Sequence, residues 1–480
     1  AGRLVFFGRL EVTTATDAYD FGFFAAVDKS LRQIARENQP TPDGVESFQT
    51  VFEELAGPPI NGAGQIAFRA RLSDGTAGVY RGDDSAIVQI AITGAPAPGA
   101  RGGILGPILG EPSLNEAGEV AFFAATSRGS GVFVGNGQDL HSVARVGDEA
   151  PEGDFVAFST SQMSDSGRVA YRASFGASQS GLFLDDGLET MEGRTLIARS
   201  GEASPDGDGV IGSLGTNHIG LAVNRSGRIA FGGALTQSDA SRPSSIGVFV
   251  GDGEELELVV RGGDEAPDLN GAFKEFGSLA IADSGVVAFT ARLEQTTAGP
   301  SDDQGLFAYH PDRGLMQIAR DGATLPLVGG QNRVIESVAF VPGGLNSEGQ
   351  IAFSALFDDS KRRVFVVDLV WDDQFDADFT DDDLVSGADF LTWQRGIGLV
   401  DGFGNSTGDA TADGNVDADD LRKWETQFGG AVVHSSSVAS LPEASTGSLL
   451  STVLAAMTGC RLSIRAHRGN RTRHTPAGTN

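Results

Sequence analysis

A single cysteine, Cys460, in 480 residues leaves no disulfide framework within the chain and no Cys-rich zinc site. Histidine is scarce too, at positions 141, 218, 310, 434, 467 and 474, with no pair in the H-E-x-x-H spacing of a zinc hydrolase. A phosphate-binding loop is also missing. Positive charge is short. Lys and Arg number 35 against 64 Asp and Glu, and the net charge of −29 argues against nucleic acid, whose phosphates need clustered cations. Cations are the expected partners. The apolar run 449–460 is shorter than a membrane span requires. No signal peptide opens the sequence, and Ala1 falls in what reads as the middle of a repeat, so export has to be argued from the other end.

What is abundant is glycine, 67 residues, and phenylalanine, 30, and both recur in register. The phrase N-x-x-G-x-[IV]-A-F appears at Asn61-Gly64-Ala67-Phe68, Asn115-Gly118-Ala121-Phe122, Asn224-Gly227-Ala230-Phe231 and Asn346-Gly349-Ala352-Phe353. Ser164-Gly167-Ala170-Tyr171 and Ala282-Gly285-Ala288-Phe289 replace the Asn, and Gly2-Arg3-Leu4-Val5-Phe6 begins at the glycine. Spacings between these glycines are 62, 54, 49, 60, 58 and 64 residues, the signature of a repeat architecture. A second phrase, G-[VL]-[FY], follows each core and leads to an apolar stretch ending in Ala-Arg, as in Gly131-Val132-Phe133 with Ala144-Arg145. A Gly-Asp-Glu-Ala-Pro loop closes the unit at 147–151 and 263–267.

One unit therefore holds about four short strands between Gly, Asn, Asp and Pro turns. The Asn can bond its own backbone two residues on, and the Gly supplies the positive φ of a tight turn. Ile229-Ala230-Phe231 lacks polar alternation, as expected for a sheet covered on both faces, with Ala letting neighbouring sheets approach and Phe filling the gap. The expected fold is all-β: a propeller of about seven four-stranded blades over residues 1–370, with an open β solenoid as the alternative. The first unit lacks its leading strand and the last its final one, so a composite blade could close the ring. These motifs resemble the NxxGxxAF tandem-repeat family of bacterial exported proteins, which implies surface location and no established activity.

The repeats hold few candidates for chemistry. Ser164-Asp165-Ser166-Gly167 comes near a sialidase Asp box, but its aromatic position falls on Ala170. The pairs Asp185-Asp186 and Asp302-Asp303 would serve as general acid and base only if they met across a cleft. Arg36, Arg145, Arg199, Arg261 and Arg320 recur at strand ends, followed by Asp148, Glu202 or Asp264. They read either as a rim for an anionic sugar or as an Arg–carboxylate bridge used once per blade, and the accompanying acid favours the bridge.

Beyond Trp371 the composition turns acidic. Residues 409–420 place oxygens at loop positions 1, 3, 5, 9 and 12, namely Asp409, Thr411, Asp413, Asp417 and Asp420, with Gly414 at the sharp turn and the Asn415 carbonyl at position 7. This is the calcium-ligand pattern of an EF-hand loop. Residues 378–389 repeat it with Asp378, Thr380, Asp382, the Leu384 carbonyl, Ser386 and Asp389, but Asp383 stands in place of the turn glycine. Each loop runs into a short amphipathic helix. Two such units over 376–429 resemble a type I dockerin, a small α-helical, EF-hand-like module within 371–430. The resemblance implies calcium-dependent folding and a cohesin-like partner, although the positions that carry recognition in that family hold Gly387-Ala388 and Ala418-Asp419.

Residues 431–448 read as a flexible linker. Leu441-Pro442-Glu443-Ala444, the apolar run, and Arg461, Arg465 and Arg468 make 441–468 similar to a PEP-CTERM sorting signal, before a basic tail at 469–480. That resemblance implies processing by an exosortase-like enzyme and membrane contact through the tail alone. The resulting expectation is a non-enzymatic extracellular or cell-surface protein, its propeller binding a protein or glycan. The alternative is a carbohydrate-active propeller enzyme, a glycoside hydrolase or lyase, delivered by its dockerin.

Overall fold

The computed structural model describes residues 4–428 apart from 11–19, 28–29, 52–57, 100–101, 177–178, 188–192, 215–219, 237–245, 312, 327–331, 347–348, 370–376, 378, 381–384, 400–407 and 411–414. The chain divides into two compact units, one holding Ala1–Val366 and the other Val367–Val438.

The first unit is an all-β, seven-bladed propeller whose strands form seven antiparallel sheets. The first sheet is β1 (Leu4–Leu10), β2 (Asp20–Val27) and β3 (Ser30–Arg36). The next five are β4–β7 (48–92), β8–β11 (105–145), β12–β15 (155–199), β16–β20 (210–261) and β21–β24 (272–320). Each is a meander of four strands in spatial order, except that β16 (Val210–Leu214) and β17 (Leu221–Val223) are two pieces of one strand, both paired with β18. The last sheet holds β25 (Thr324–Pro326), β26 (Asn332–Ala339), β27 (Gln350–Phe357) and β28 (Arg362–Asp368). Here β25 is a short addition in front of the leading strand, and β28 corresponds to the third strand of the other blades. Among the described residues the two incomplete ends do not pair into the expected composite blade. Among the described residues, β1 and β28 are edges of separate sheets.

The repeated phrases now have positions. N-x-x-G is the turn from first to second strand, [IV]-A-F opens the second strand, and G-[VL]-[FY] opens the third. The aromatic residues of the two phrases stack across neighbouring strands, at 5.6 Å for Phe122–Phe133, 5.4 Å for Phe231–Phe249 and 5.9 Å for Phe289–Phe307. The alanine points the other way, towards the next blade. Ala67 shares a core with Phe122 and Phe133, Ala121 with Tyr171 and Phe183, and Ala230 with Phe289 and Phe307. A small residue thus meets the large rings of the following sheet, which is how seven sheets reach interior packing density.

Two irregularities recur. The first strand carries a bulge just after its buried anchor, between Phe48 and Thr50, Phe155 and Ala157, and Phe273 and Glu275. The fourth strand is bulged opposite the third-strand aromatic, at Val132/Phe133, Leu182/Phe183 and Leu306/Phe307. Such bulges raise local twist, which a propeller blade needs between its inner and outer edges.

Among the described residues the second unit has two helices, α1 (Gly387–Gly396) and α2 (Ala418–Gln427). Its core is Ala377, Phe379, Val385, Trp393, Ala410 and Val416, with Phe390, Leu421 and Trp424 against it. Among the described residues no helix is long and apolar enough to cross a membrane.

Candidate functional site

Meander topology gives the propeller two chemically distinct faces. One carries the turns between first and second and between third and fourth strands. The other carries the turns between second and third strands and the loops between blades.

On the first face the repeat asparagine does more than its sequence implied. Its Oδ1 accepts the backbone N–H four residues on, not two, at 3.0 Å from Gln65 to Asn61, 2.8 Å from Glu119 to Asn115 and 3.0 Å from Arg228 to Asn224. Its amide then reaches the next blade: Asn61 Nδ2 donates to the Asn115 carbonyl at 3.1 Å, and Asn224 Nδ2 to the Ala282 carbonyl at 3.1 Å. The following residue forms a second link. Glu116 accepts the Gly62 N–H at 3.0 Å, and Asp283 accepts the Arg225 N–H at 2.9 Å. The Arg225 guanidinium lies 3.4 Å from Asp165 and 3.7 Å from Asp283, on the blades either side of it. Burial, followed by the nearby Glu116 charge, raises the Asp165 carboxyl above its ordinary value, while Arg225 opposes the shift. Aligning the repeats on their glycines would have revealed this position, since charges occupy it in successive units. Arg81, the first residue of an Arg-Gly-Asp tripeptide, is likewise committed, donating to the Gly118 carbonyl of the next blade.

On the second face the strand-end arginines are bridges, and the acids that follow them bind their main chain. Asp148, Glu202 and Asp264 accept the backbone N–H of Arg145, Arg199 and Arg261 at 2.8, 3.0 and 3.0 Å. The guanidinium reaches back to the loop joining the preceding blade to its own. Arg145 donates to the Pro98 and Gly102 carbonyls, both at 2.6 Å. Arg261 meets Asp206 at 2.7 Å and Asp208 at 3.1 Å, and Arg320 meets Asp268 at 2.7 Å and the Asn270 carbonyl at 2.8 Å. These three arginines are buried and committed to loop partners, which takes them out of any cationic rim for an anionic sugar. Arg199 pairs with Glu152 at 2.8 Å in a solvated position, and Arg36 is half-buried at the corresponding end of β3. In the second blade Ile92 replaces the arginine. Tyr80 there replaces the usual Phe, with its hydroxyl buried and without a partner, and desolvation holds the phenol far above its ordinary pKa.

The two acidic pairs cannot meet. Asp185 ends the third strand of its blade and lies on the first face, whereas Asp302 and Asp303 precede a third strand and lie on the second. Asp185 is fully buried against Arg194 at 3.1 Å, and burial pushes its carboxyl up to about 6. Asp302 accepts the Asn270 amide at 3.0 Å, and Asp303 accepts Arg292 Nε at 2.9 Å. Beside them Asp321 is buried with Oδ1 unpartnered. Desolvation, then the Asp303 charge, pushes it up to about 7.

In the second unit the described candidate ligands gather around the starts of the helices. Asp389 is fully buried and accepts the Thr380 N–H at 2.9 Å, the Thr380 hydroxyl at 2.8 Å, the Ser386 N–H at 2.8 Å and the Ser386 hydroxyl at 3.1 Å. Oxygens of loop positions 3, 9 and 12 therefore converge on one point. In the other loop Asp409 and Asp420 are buried, and Asp420 accepts the Asp417 N–H at 2.7 Å. Asn415 stands just before Val416, whose N–H bonds the Leu399 carbonyl at 3.0 Å. Asp378, Asp382, Leu384, Thr411 and Asp413 lie outside the described residues. Among the described residues no three acidic, His or Cys side chains form a metal-holding group by themselves.

Sequence reading missed how the halves lock together. Trp393 Nε1 of α1 donates to the Asp417 carbonyl at 2.8 Å, and Trp424 Nε1 of α2 donates to the Ser386 carbonyl at 2.9 Å. Both acceptors occupy loop position 9, so each helix clasps the other half's loop. The equal spacing of each Trp from its loop was the available signal.

The sequence matches a family described as "Family of unknown function (DUF7453)" over residues 1–253 and 220–371. No curated protein matches it. Among solved structures it is similar to the β-propeller domain of the Trilobed protease from Pyrococcus furiosus, at 11% identity and TM-score 0.43, over 76% of this chain and 91% of that one. SapL1 lectin, solved with alpha methyl fucoside, matches at 11% identity and TM-score 0.33, over 66% and 94%. A protein from Lactobacillus plantarum matches at 12% identity and TM-score 0.34, over 76% and 92%.

Proposed function

The chain belongs to the DUF7453 family, whose function is not established, and we propose that its blades are a non-enzymatic binding or scaffold domain for a protein or glycan, joined to a calcium-stabilised dockerin-like module. The observation that carries the scaffold reading is the use made of polar side chains in the repeats. Asn61, Asn224, Arg145, Arg261 and Arg320 are spent on holding blades and loops together, and the two acidic pairs sit on opposite faces. A rigid ring that leaves its loop tips variable suits recognition.

For the module, the support is chemical. Asp389, Asp409 and Asp420 are buried carboxylates at loop positions 12, 1 and 12, where an EF-hand loop places its ligands. Hard oxygen donors in loops of this spacing suit calcium, with Asp378, Thr380, Asp382, Leu384, Ser386 and Asp389 for one ion and Asp409, Thr411, Asp413, Asn415, Asp417 and Asp420 for the other. The ion would neutralise the carboxylates and tie each loop to its helix. We further propose that 441–468 acts as a sorting signal for an exosortase-like enzyme, that the mature chain resides outside the cell, and that a cohesin-like protein is the module's partner. The processing step predicts a secreted chain whose intact mass ends short of residue 469.

The test uses the full chain. Calcium should raise the unfolding free energy of the small unit by about 2.7 kcal/mol for each occupied site at a hundredfold excess over Kd. Asp409→Ala should remove one of two binding events in a calorimetric titration. An unchanged titration would dismiss the second loop as a site. On a glycan array the chain should bind without releasing reducing ends, and any turnover would overturn the non-enzymatic reading.

A further inference from the structure

The glycine that opens each third strand pairs with one residue of the fourth strand. Gly131 pairs with Arg145, Gly181 with Arg199, Gly247 with Arg261 and Gly305 with Arg320. In the second blade Gly78 pairs in the same register with Ile92. Isoleucine ends where arginine continues into its guanidinium, so this blade has no cation of its own at that position.

The loop that would receive a cation is nonetheless built for one. The Thr41 N–H bonds the Glu46 carbonyl at 2.9 Å, as Ser204 bonds Gly209 at 3.0 Å and Ala266 bonds Gly271 at 2.9 Å, and a proline and an aspartate follow each of the three. Asp206 and Asp268 divide their oxygens alike. Oδ1 accepts the N–H two residues on, at 3.2 and 3.1 Å, and Oδ2 accepts the guanidinium of Arg261 or Arg320 at 2.7 Å. Asp43 Oδ1 accepts the Val45 N–H at 3.1 Å and the Thr41 hydroxyl at 2.6 Å, which leaves Oδ2 in the role that holds a guanidinium elsewhere. Among the described residues no cation pairs with Asp43, which is exposed.

A second group points to the same place. Tyr80 stands where other blades have Phe133, Phe183, Phe249 and Phe307, and it is fully buried with its hydroxyl unpartnered. A Cβ at Gly78 would lie 2.7 Å from that hydroxyl, and one at Gly131 would lie 3.0 Å from Arg145 Cγ, so the hydroxyl sits beside the path that an arginine stem takes in the third blade. A buried hydroxyl without a hydrogen bond is costly, and a guanidinium carries enough N–H donors for a carboxylate and a hydroxyl together.

We propose that the second blade binds an arginine side chain of a partner protein, its guanidinium lying between Asp43 Oδ2 and the Tyr80 hydroxyl. This names the partner chemistry of the binding domain described above and rests on that reading. The place is open to solvent, since Asp43 and Val45 are exposed and Ile92 is half-buried.

The test uses the full chain labelled with fluorotyrosine, the Tyr80 fluorine resonance being assigned by its loss in Tyr80→Phe. The probes are acetylated, amidated glycine peptides with a central arginine, lysine or citrulline. The arginine peptide should shift the Tyr80 resonance saturably, and Asp43→Asn should weaken that binding about tenfold or more, as loss of a charged hydrogen bond does. Ile92→Arg should abolish it by supplying the guanidinium from within. No saturable shift in the wild type, an equal response in Asp43→Asn, or an equal response to the lysine or citrulline peptide overturns the proposal. Asp43 is exposed, so Asp43→Asn decides the matter even if Ile92→Arg fails to fold. A chain that binds a glycan on the array while this resonance stays unmoved loses the site and keeps its binding role, whereas sugar turnover removes the non-enzymatic reading whatever the resonance does.

Discussion

At the scale of single residues, most charged groups of the propeller are structural, and their partners explain why. A guanidinium can satisfy backbone carbonyls and carboxylates at once, so one arginine ties a loop to a blade through several donors. Asp321 is the exception. It is buried between Arg320 and Gly322 with one oxygen unpartnered, and its carboxyl is pushed up to about 7 from 3.8, first by desolvation and then by Asp303. A carboxyl with a raised folded pKa binds more protons when folded than when unfolded between those two values, so its contribution to stability falls as pH rises from about 4 to about 7. Asp321→Asn should flatten that part of the stability curve, measured by urea unfolding at each pH. Identical slopes in variant and wild type would show that Asp321 titrates normally.

At the scale of elements, the blade is a set of local rules that agree with one another. The turn glycine has positive φ, as at Gly118 (82°) and Gly227 (90°), and the preceding Asn both closes the turn and reaches the next one. Gly131 has a different reason for being glycine. No positive φ demands it there; a would-be Cβ would meet the Ala144 carbonyl at 2.9 Å, the Arg145 side chain at 3.0 Å and the Phe133 ring at 3.1 Å. Gly131→Ala is therefore an overpacking change and should cost about 1–3 kcal/mol in unfolding free energy without altering the denaturant slope. The strand count, the turn and the two-sided burial of the A-F run were legible in the repeats, because each depends on residues close in sequence. The partner of each arginine was not, since Arg261 and Asp206 are brought together by a whole blade of intervening chain.

At the scale of the molecule, the two units rest on different physics. The propeller buries seven sheets against one another, with rings such as Phe68, Phe122 and Phe183 almost wholly enclosed. The small unit has a core of a few side chains around two tryptophans, and domains of that size usually need a metal or other staple. Scanning calorimetry of the full chain should show two transitions, and chelation of calcium should lower the smaller one while leaving the larger in place. A single transition that moves as a whole on chelation would mean that the units do not unfold independently.

From its sequence alone this chain is a repeat of short strands with glycines at fixed steps, because turn geometry and strand packing act over a few residues and recur with the repeat. The acidic loops are legible for the same reason, their donor spacing being local. Only the tertiary structure decided which loop groups Arg145, Arg261 and Arg320 reach, and that the tryptophans cross between the two loops. Those outcomes depend on which side chains arrive at one point from distant parts of the chain, and no local pattern encodes that arrival.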